Sequence, residues 1–163
     1  MIAHPPCTYL ANSGVHLLRQ WVDRGDGIDE YGYNDARWEL MEKGARFFAR
    51  FLMLPVPKIA VENPIMHCYA KHEIEQCLGR KIDTFFVQPW WFGDEAFKAT
   101  GFTVKGLPRI VKPSTALVPP KPGTAEHKVW TARIANLPPG RDRWKIRSRT
   151  FPGIAAALAE NWG

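Results

Sequence analysis

The chain has 163 residues, 45% of them hydrophobic and 23% charged. That composition excludes a disordered or fibrous protein, and the length suffices to bury a core without disulfide or metal staples. The net charge of +6 is unevenly spread: residues 1–100 carry 11 Lys/Arg against 13 Asp/Glu, whereas residues 101–163 carry 11 against 3, so the positive excess lies wholly in the C-terminal part and points to a polyanion.

Three short β-type runs are expected at residues 1–3, 58–61 and 84–87, each followed by a proline-marked loop: His4-Pro5-Pro6-Cys7, Glu62-Asn63-Pro64 and Gln88-Pro89-Trp90-Trp91. Between the first two, Trp38, Met41, Ala45, Phe48 and Leu52 recur at helical spacing, and a second stripe of Leu40, Phe47, Phe51 and Leu54 widens the apolar face. Asn34 or Asp35 can cap this helix and Pro55 stops it. A shorter helix is expected over residues 66–78, closing at Gly79. Strand, helix, strand, helix, strand predicts an α/β fold with a mostly parallel sheet and flanking helices. In such sheets the loops beyond the carboxyl ends of the strands carry the site.

A fourth strand is expected at residues 100–104, completing an α/β core over 1–104. Residues 105–140 follow as a long Pro-rich irregular excursion, since 7 of the chain's 14 prolines fall between 108 and 139. Residues 141–163 hold a basic segment and a terminal helix with Thr150 as cap and Pro152 in its first turn. The whole, 1–163, reads as one domain. The apolar stretch 47–56 is cut by Arg50 and Pro55, so no membrane span is expected, and residues 1–6 lack the charged and apolar regions of a signal peptide.

Cys7 stands just after a strand and two prolines, which stiffen the backbone as a thiolate aimed at a substrate requires. A small buried thiol beside a turn would read the same. The odd count of three cysteines favours reduced thiols and a cytoplasmic location. Glu62 puts a carboxylate at the end of an apolar strand, where it can exchange a proton or accept hydrogen bonds; a helix cap is the plainer reading. His67, Cys68, His72 and Cys77 lack the spacing of a zinc site, so no metal is expected. His4 with Cys7 imitates a cysteine-hydrolase pair, with no third group nameable from sequence. In Arg141-Asp142-Arg143-Trp144-Lys145-Ile146-Arg147-Ser148-Arg149 the basic residues alternate. If extended, the segment presents five cations on one side, for which phosphate contact predicts a log–log salt slope of about −4.5. A solvated basic strand is the alternative.

Pro6-Cys7 after one strand and Glu62-Asn63 after the next resemble the two catalytic signatures of the DNA cytosine-C5 methyltransferases. A closer resemblance, over essentially the whole chain, is to small methyltransferase-like proteins of phages and prophages. It is carried by residues 4–14, 62–70, 88–93, 98–100 and 147–155. The resemblance implies a partial Rossmann-like, methyltransferase-type domain in which Cys7 adds to C6 of cytosine and Glu62 bonds N3 and the exocyclic amine. It implies that Pro6, Asn63, Pro64, Gln88, Trp90, Lys98 and Thr100 shape the base site, and that Arg141, Arg143, Lys145, Arg147 and Arg149 hold DNA phosphates. The implied cofactor is S-adenosylmethionine. In the family its glycine-rich strand-turn-helix precedes the Pro-Cys loop, whereas the chain here begins at the strand that leads into the Pro-Cys loop. Gly25-Asp26-Gly27 reads as a loop tip instead. The expectation is therefore a protein lacking the N-terminal cofactor-binding half. Such a protein is either a DNA (cytosine-5)-methyltransferase-like enzyme or a catalytically silent nucleic-acid-binding remnant or half of a split enzyme, with DNA and either a missing N-terminal half or a second copy of the chain as the expected partners. The related group usually has histidine where Asp94 stands, which alters the charge of the third loop.

Overall fold

A computed structural model describes residues 1–23, 29–134 and 136–163. The Gly25-Asp26-Gly27 stretch falls outside the described residues. The chain divides into two compact units, Met1–Thr84 with Gly101–Leu107, and Phe85–Thr100 with Pro108–Gly163. Among the described residues no helix is long and apolar enough to cross a membrane.

The first unit is built on β1 (Ile2–Ala3), a hairpin of β2 (Arg19–Asp23) and β3 (Asp29–Tyr33), α1 (Asp35–Met53), β4 (Ile59–Asn63) and α2 (Cys68–Leu78). Two further strands, β5 (Thr84–Val87) and β6 (Thr100–Lys105), complete a four-stranded sheet in the order β1-β4-β6-β5. β1 runs parallel to β4, with Ile2 opposite Ala60 and Ala3 opposite Val61. β6 runs antiparallel to β4, from Ile59 opposite Lys105 to Asn63 opposite Gly101.

The expected mostly parallel sheet is thus corrected to a mixed one with a single parallel pair, β1–β4. The physical reason is strand order. The helix after β4 suggested a crossover to a parallel neighbour, but the returning β6 takes the place beside β4. Hydrophobic periodicity reports that a strand exists, and it carries no information about which strand lies next to it.

α1 starts where the side chain of Asn34 accepts the backbone N–H of Arg37, satisfying one of the donors a helix start leaves open. Its Met41, Ala45, Phe48 and Leu52 are buried, and each large side chain there stabilises the fold by roughly 1.5–3 kcal/mol. Of the expected second stripe, Leu40, Phe47 and Leu54 are exposed, so the helix buries a narrower face than the sequence pattern suggested. α1 packs against α2, whose Ala70 and Ile74 join Leu10, Ile59 and Val61 in one core. α2 ends at Gly79, whose φ of +63° is the left-handed cap that glycine adopts without strain. At the other end of α1, Lys105 Nζ donates to the carbonyl of Leu54 at 2.6 Å, placing a cation at the negative end of the helix dipole.

The second unit contains the turn of 3-10 helix Pro89–Phe92, α3 (Ala125–Ala132), α4 (Arg143–Ser148) and α5 (Pro152–Trp162). The Pro-rich excursion is therefore not irregular throughout: Thr124 caps α3 by accepting from His127 N, and Trp130 buries its indole. The basic segment is corrected as well, since residues 143–148 are helical and not an extended strand. Successive basic residues then alternate around an axis instead of lining one side. The terminal helix is present, with Pro152 in its first turn, but the residue at its cap is Phe151, not Thr150.

Candidate functional site at the carboxyl ends of β1 and β4

Parallel pairing brings the loop after β1 and the end of β4 to the same edge of the first unit. Backbone bonds then clamp the two segments together. Asn12 N donates to Ile65 O at 2.7 Å, His67 N donates to Leu10 O at 3.1 Å, and Ala11 and Met66 form an antiparallel bridge. The carbonyl of Cys7 accepts from Leu10 N and Ala11 N, both at 3.0 Å, so the Cys7 loop closes into a tight turn directly after its two prolines. Arg37 braces this turn from α1: its guanidinium donates to Thr8 O at 3.1 Å and lies 4.3 Å from the Tyr9 ring centroid.

The side chains follow strand alternation. On β4, Ile59, Val61 and Asn63 share the face turned to the helical core, and Ala60 and Glu62 share the other. Glu62 is 19% exposed and its Oε2 lies 3.3 Å from Nδ1 of His4, which is 51% exposed. Cys7 is half-buried, Pro5 is buried and Pro6 is exposed. Asn63 is buried; its amide donates to Pro64 O at 2.6 Å, and its Oδ1 has no hydrogen-bond partner. The first unit therefore gathers Pro6, Cys7, Glu62, Asn63 and Pro64. It adds His4 beside Glu62, a contact the sequence left unread because the two residues lie 58 positions apart. The signal that could have found it is the parallel register of the two strands.

His67 and Cys77, read for zinc and set aside, have structural explanations. Nδ1 of His67 accepts from Ala70 N at 3.1 Å, capping α2, and Nε2 lies 3.0 Å from Tyr9 O. Burial of the ring lowers its pKa below the ordinary value. Cys77 lies 4.0 Å from Glu73 Oε1, and burial raises its thiol pKa. Among the described residues no three His, Cys, Asp or Glu side chains converge on a point that could hold a metal ion.

Gln88, Trp90, Lys98 and Thr100 belong to the second unit and gather there. Gln88 Oε1 accepts from Lys98 N at 3.1 Å, and Lys98 Nζ donates to Arg149 O at 2.9 Å. Thr100 is buried and its hydroxyl donates to Lys98 O at 3.3 Å. The Trp90 ring has Lys112 Nζ 5.5 Å from its centroid, and the Trp90 carbonyl accepts from Leu117 N at 3.0 Å. Asp94 accepts from Gly153 N at 2.9 Å and so ties down the first turn of α5.

Within the basic segment the cations divide. Arg143 Nε donates to Leu137 O at 2.8 Å, and Lys145 pairs with Asp142 at 2.9 Å. Arg141, Arg147 and Arg149 are exposed, as are Trp144 and Ile146.

Among the described residues no strand runs through a glycine-rich turn into a helix, the element on which dinucleotide-type cofactors are held. Among the described residues, the positive-φ glycines are Gly79, Gly93, Gly106 and Gly123. Gly79 closes α2, Gly93 ends a 3-10 turn, Gly106 follows β6 and Gly123 precedes the cap of α3, so none opens a helix directly after a strand.

Together the described elements define an α/β protein with a mixed four-stranded sheet. In comparisons with known proteins, no family model matches the chain, and neither a curated protein nor a solved structure does.

Proposed function

We propose that the chain carries the cytosine-addition chemistry of a DNA (cytosine-5)-methyltransferase-like protein, with Cys7 as nucleophile and Glu62 as proton partner. The observation that carries the reading is the joining of the Cys7 turn and the Glu62 strand end at one edge, marked by the 3.3 Å contact between His4 and Glu62. Conjugate addition needs a soft nucleophile and an acid beside the ring nitrogen, and these two segments supply both residue types. In that step the Cys7 thiol gives its proton to water, a bond forms from Sγ to C6, the C5–C6 π pair moves toward C5, and N3 takes the proton of Glu62. Pro6 and Pro64 fix the backbone on either side, and Asn63 holds the turn through Pro64 O. No step is assigned to a methyl donor, because no element of that kind lies among the described residues.

Addition at C6 makes C5 nucleophilic, so its hydrogen exchanges with water without any cofactor. The test is therefore release of tritium to water from DNA labelled at cytosine C5. The full chain releases it, and Cys7→Ser does not; no release by the unaltered chain overturns the reading.

A second reading, nucleic-acid binding without chemistry, is favoured by the exposed Arg141, Arg147 and Arg149 around an exposed Trp144. It predicts salt-dependent DNA binding with no tritium release from either protein.

A further inference from the structure

The structure places His4 beside Glu62, and its geometry says which oxygen of the carboxyl it meets. Nδ1 lies 3.3 Å from Oε2. Both backbones are anchored: Ala60 N donates to Met1 O at 2.9 Å, the N-terminal ammonium donates to Lys58 O at 2.8 Å, and Pro5 is buried. A residue before proline is restricted to extended backbone, so His4 continues the direction of β1 instead of turning away. The ring is the more exposed partner and Glu62 the more enclosed one.

A carboxyl group turns freely about its last torsion unless one oxygen is held. In the tautomer that carries its hydrogen on Nδ1, the imidazole donates to Oε2, so Oε2 acts as an acceptor and Oε1 is the oxygen left to face the base. The resulting edge offers one donor and one acceptor in a fixed order. Cytosine presents the complement, an acceptor at N3 and a donor at its exocyclic amine. Uracil presents the reverse, a donor at N3 and an acceptor at O4. A site that fixes the order of buried polar groups rejects the reversed pattern much more strongly than one whose carboxyl can turn.

We propose that His4 is the positioning residue that orders the two oxygens of Glu62 and so makes the site selective for cytosine over uracil. This rests on the addition chemistry assigned to Cys7 and Glu62. The role falls to this residue because Nδ1 is the ring atom that meets the carboxyl, and asparagine places its amide nitrogen at nearly the same distance from the backbone.

The experiment measures tritium release from single-stranded DNA labelled at C5 of cytosine or of uracil, for the full chain, His4→Ala, His4→Asn, Glu62→Ala and the double variant His4→Ala/Glu62→Ala. The unaltered chain prefers cytosine. His4→Ala lowers the cytosine rate about tenfold at saturating DNA and narrows the cytosine-to-uracil ratio, while His4→Asn restores both. The double variant is no slower than Glu62→Ala alone. Since His4 is half exposed, its variants keep the melting temperature of the parent, which is recorded alongside. An unchanged rate and ratio in His4→Ala overturn the proposal, and so does a fall in rate with the ratio intact. Absence of release from the unaltered chain overturns the proposal together with the addition chemistry beneath it, which separates the two failures.

Discussion

His67 and Tyr9 are joined by a 3.0 Å contact between the imidazole Nε2 and the Tyr9 carbonyl, and this contact fixes the protonation of a buried ring. A carbonyl accepts, so Nε2 carries the hydrogen and Nδ1 keeps the lone pair that receives Ala70 N. A second proton on the ring would displace the cap of α2. Burial, the largest cause, and the positive charge of Arg37 hold the pKa below the ordinary value of 6.5, with the Tyr9 contact opposing them. The unfolded chain therefore takes up a proton near pH 6.5 that the folded chain declines. Stability from this residue is complete above that pH and is lost as the pH falls toward the lower folded-state value. His67→Asn keeps a capping side chain without the titration, so urea unfolding followed from pH 8 to pH 5 has a flatter profile for the variant. His67→Ala loses about 1 kcal/mol or more at pH 8, from the missing cap alone.

Glu75 governs a different part of the pH axis. It is buried on α2, its Oε2 accepts from Lys81 at 2.8 Å and its Oε1 from Ile82 N at 3.1 Å. The hydrogen bond from Lys81 is the largest cause holding its carboxyl below the ordinary 4.5, and it outweighs desolvation. A depressed carboxylate contributes stability that is present above the unfolded value and lost as the pH falls through the folded one. Acid unfolding below about pH 4.5 is therefore shallower in Glu75→Gln than in the parent, and Gln is less stable than Glu at pH 7. An unchanged acid limb in the variant would remove Glu75 from the account.

The contrast between these two residues and the strands explains how much of the molecule could be read in advance. Met41, Ala45, Phe48 and Leu52 announce α1 because helix periodicity is local, and Gly79 announces the end of α2 for the same reason. Cys7 and Glu62 were legible because each stands in or beside a proline-bearing loop that follows a short apolar run. What lay outside reach is non-local. The insertion of β6 beside β4, the seat of His4 against Glu62 and the use of His67 as a cap each depend on which distant segment comes alongside. The basic run misled for a subtler reason: alternating charge fits a strand, yet Arg143–Ser148 holds residues that are good helix formers, and only tertiary context decides between them. The hairpin of β2 and β3 went unseen because its apolar content is aromatic and exposed, with Trp21 opposite Tyr31 on the surface.

Gly153 is predicted to be irreplaceable in the second unit. Its N–H donates to Asp94, and a Cβ built on it would meet the Phe92 carbonyl at clashing distance and Asp94 Oδ2 at 2.8 Å. Backbone cannot swing aside as a long side chain can, so the first turn of α5 has to move and the Asp94 bond with it. Gly153→Ala loses about 1–3 kcal/mol. Asp94→Asn keeps an acceptor oxygen and loses less than Asp94→Ala. Chemical denaturation of the three variants orders them, and a Gly153→Ala protein as stable as the parent contradicts the close approach.

If the chain binds DNA as proposed, the divided fates of the basic side chains set the salt dependence expected of its present conformation. Five cations in a row would release counterions from five phosphates, for a slope of log K on log salt of about −4.5. Arg143 is committed to the Leu137 carbonyl, and Lys145 is paired with Asp142. Arg141, Arg147 and Arg149 remain exposed, and three phosphate contacts give a slope of about −2.7. Fluorescence anisotropy on a labelled duplex between 50 and 200 mM salt, about a fourfold range, reads this number directly. Replacing Arg141, Arg147 and Arg149 together by alanine removes most of the slope. Arg143→Ala acts mainly on stability, because it frees the Leu137 carbonyl, and leaves the slope nearly unchanged. A measured slope near −4.5 in the parent would mean that DNA draws Arg143 and Lys145 out of their present contacts, and with them that the short helix α4 gives way on binding.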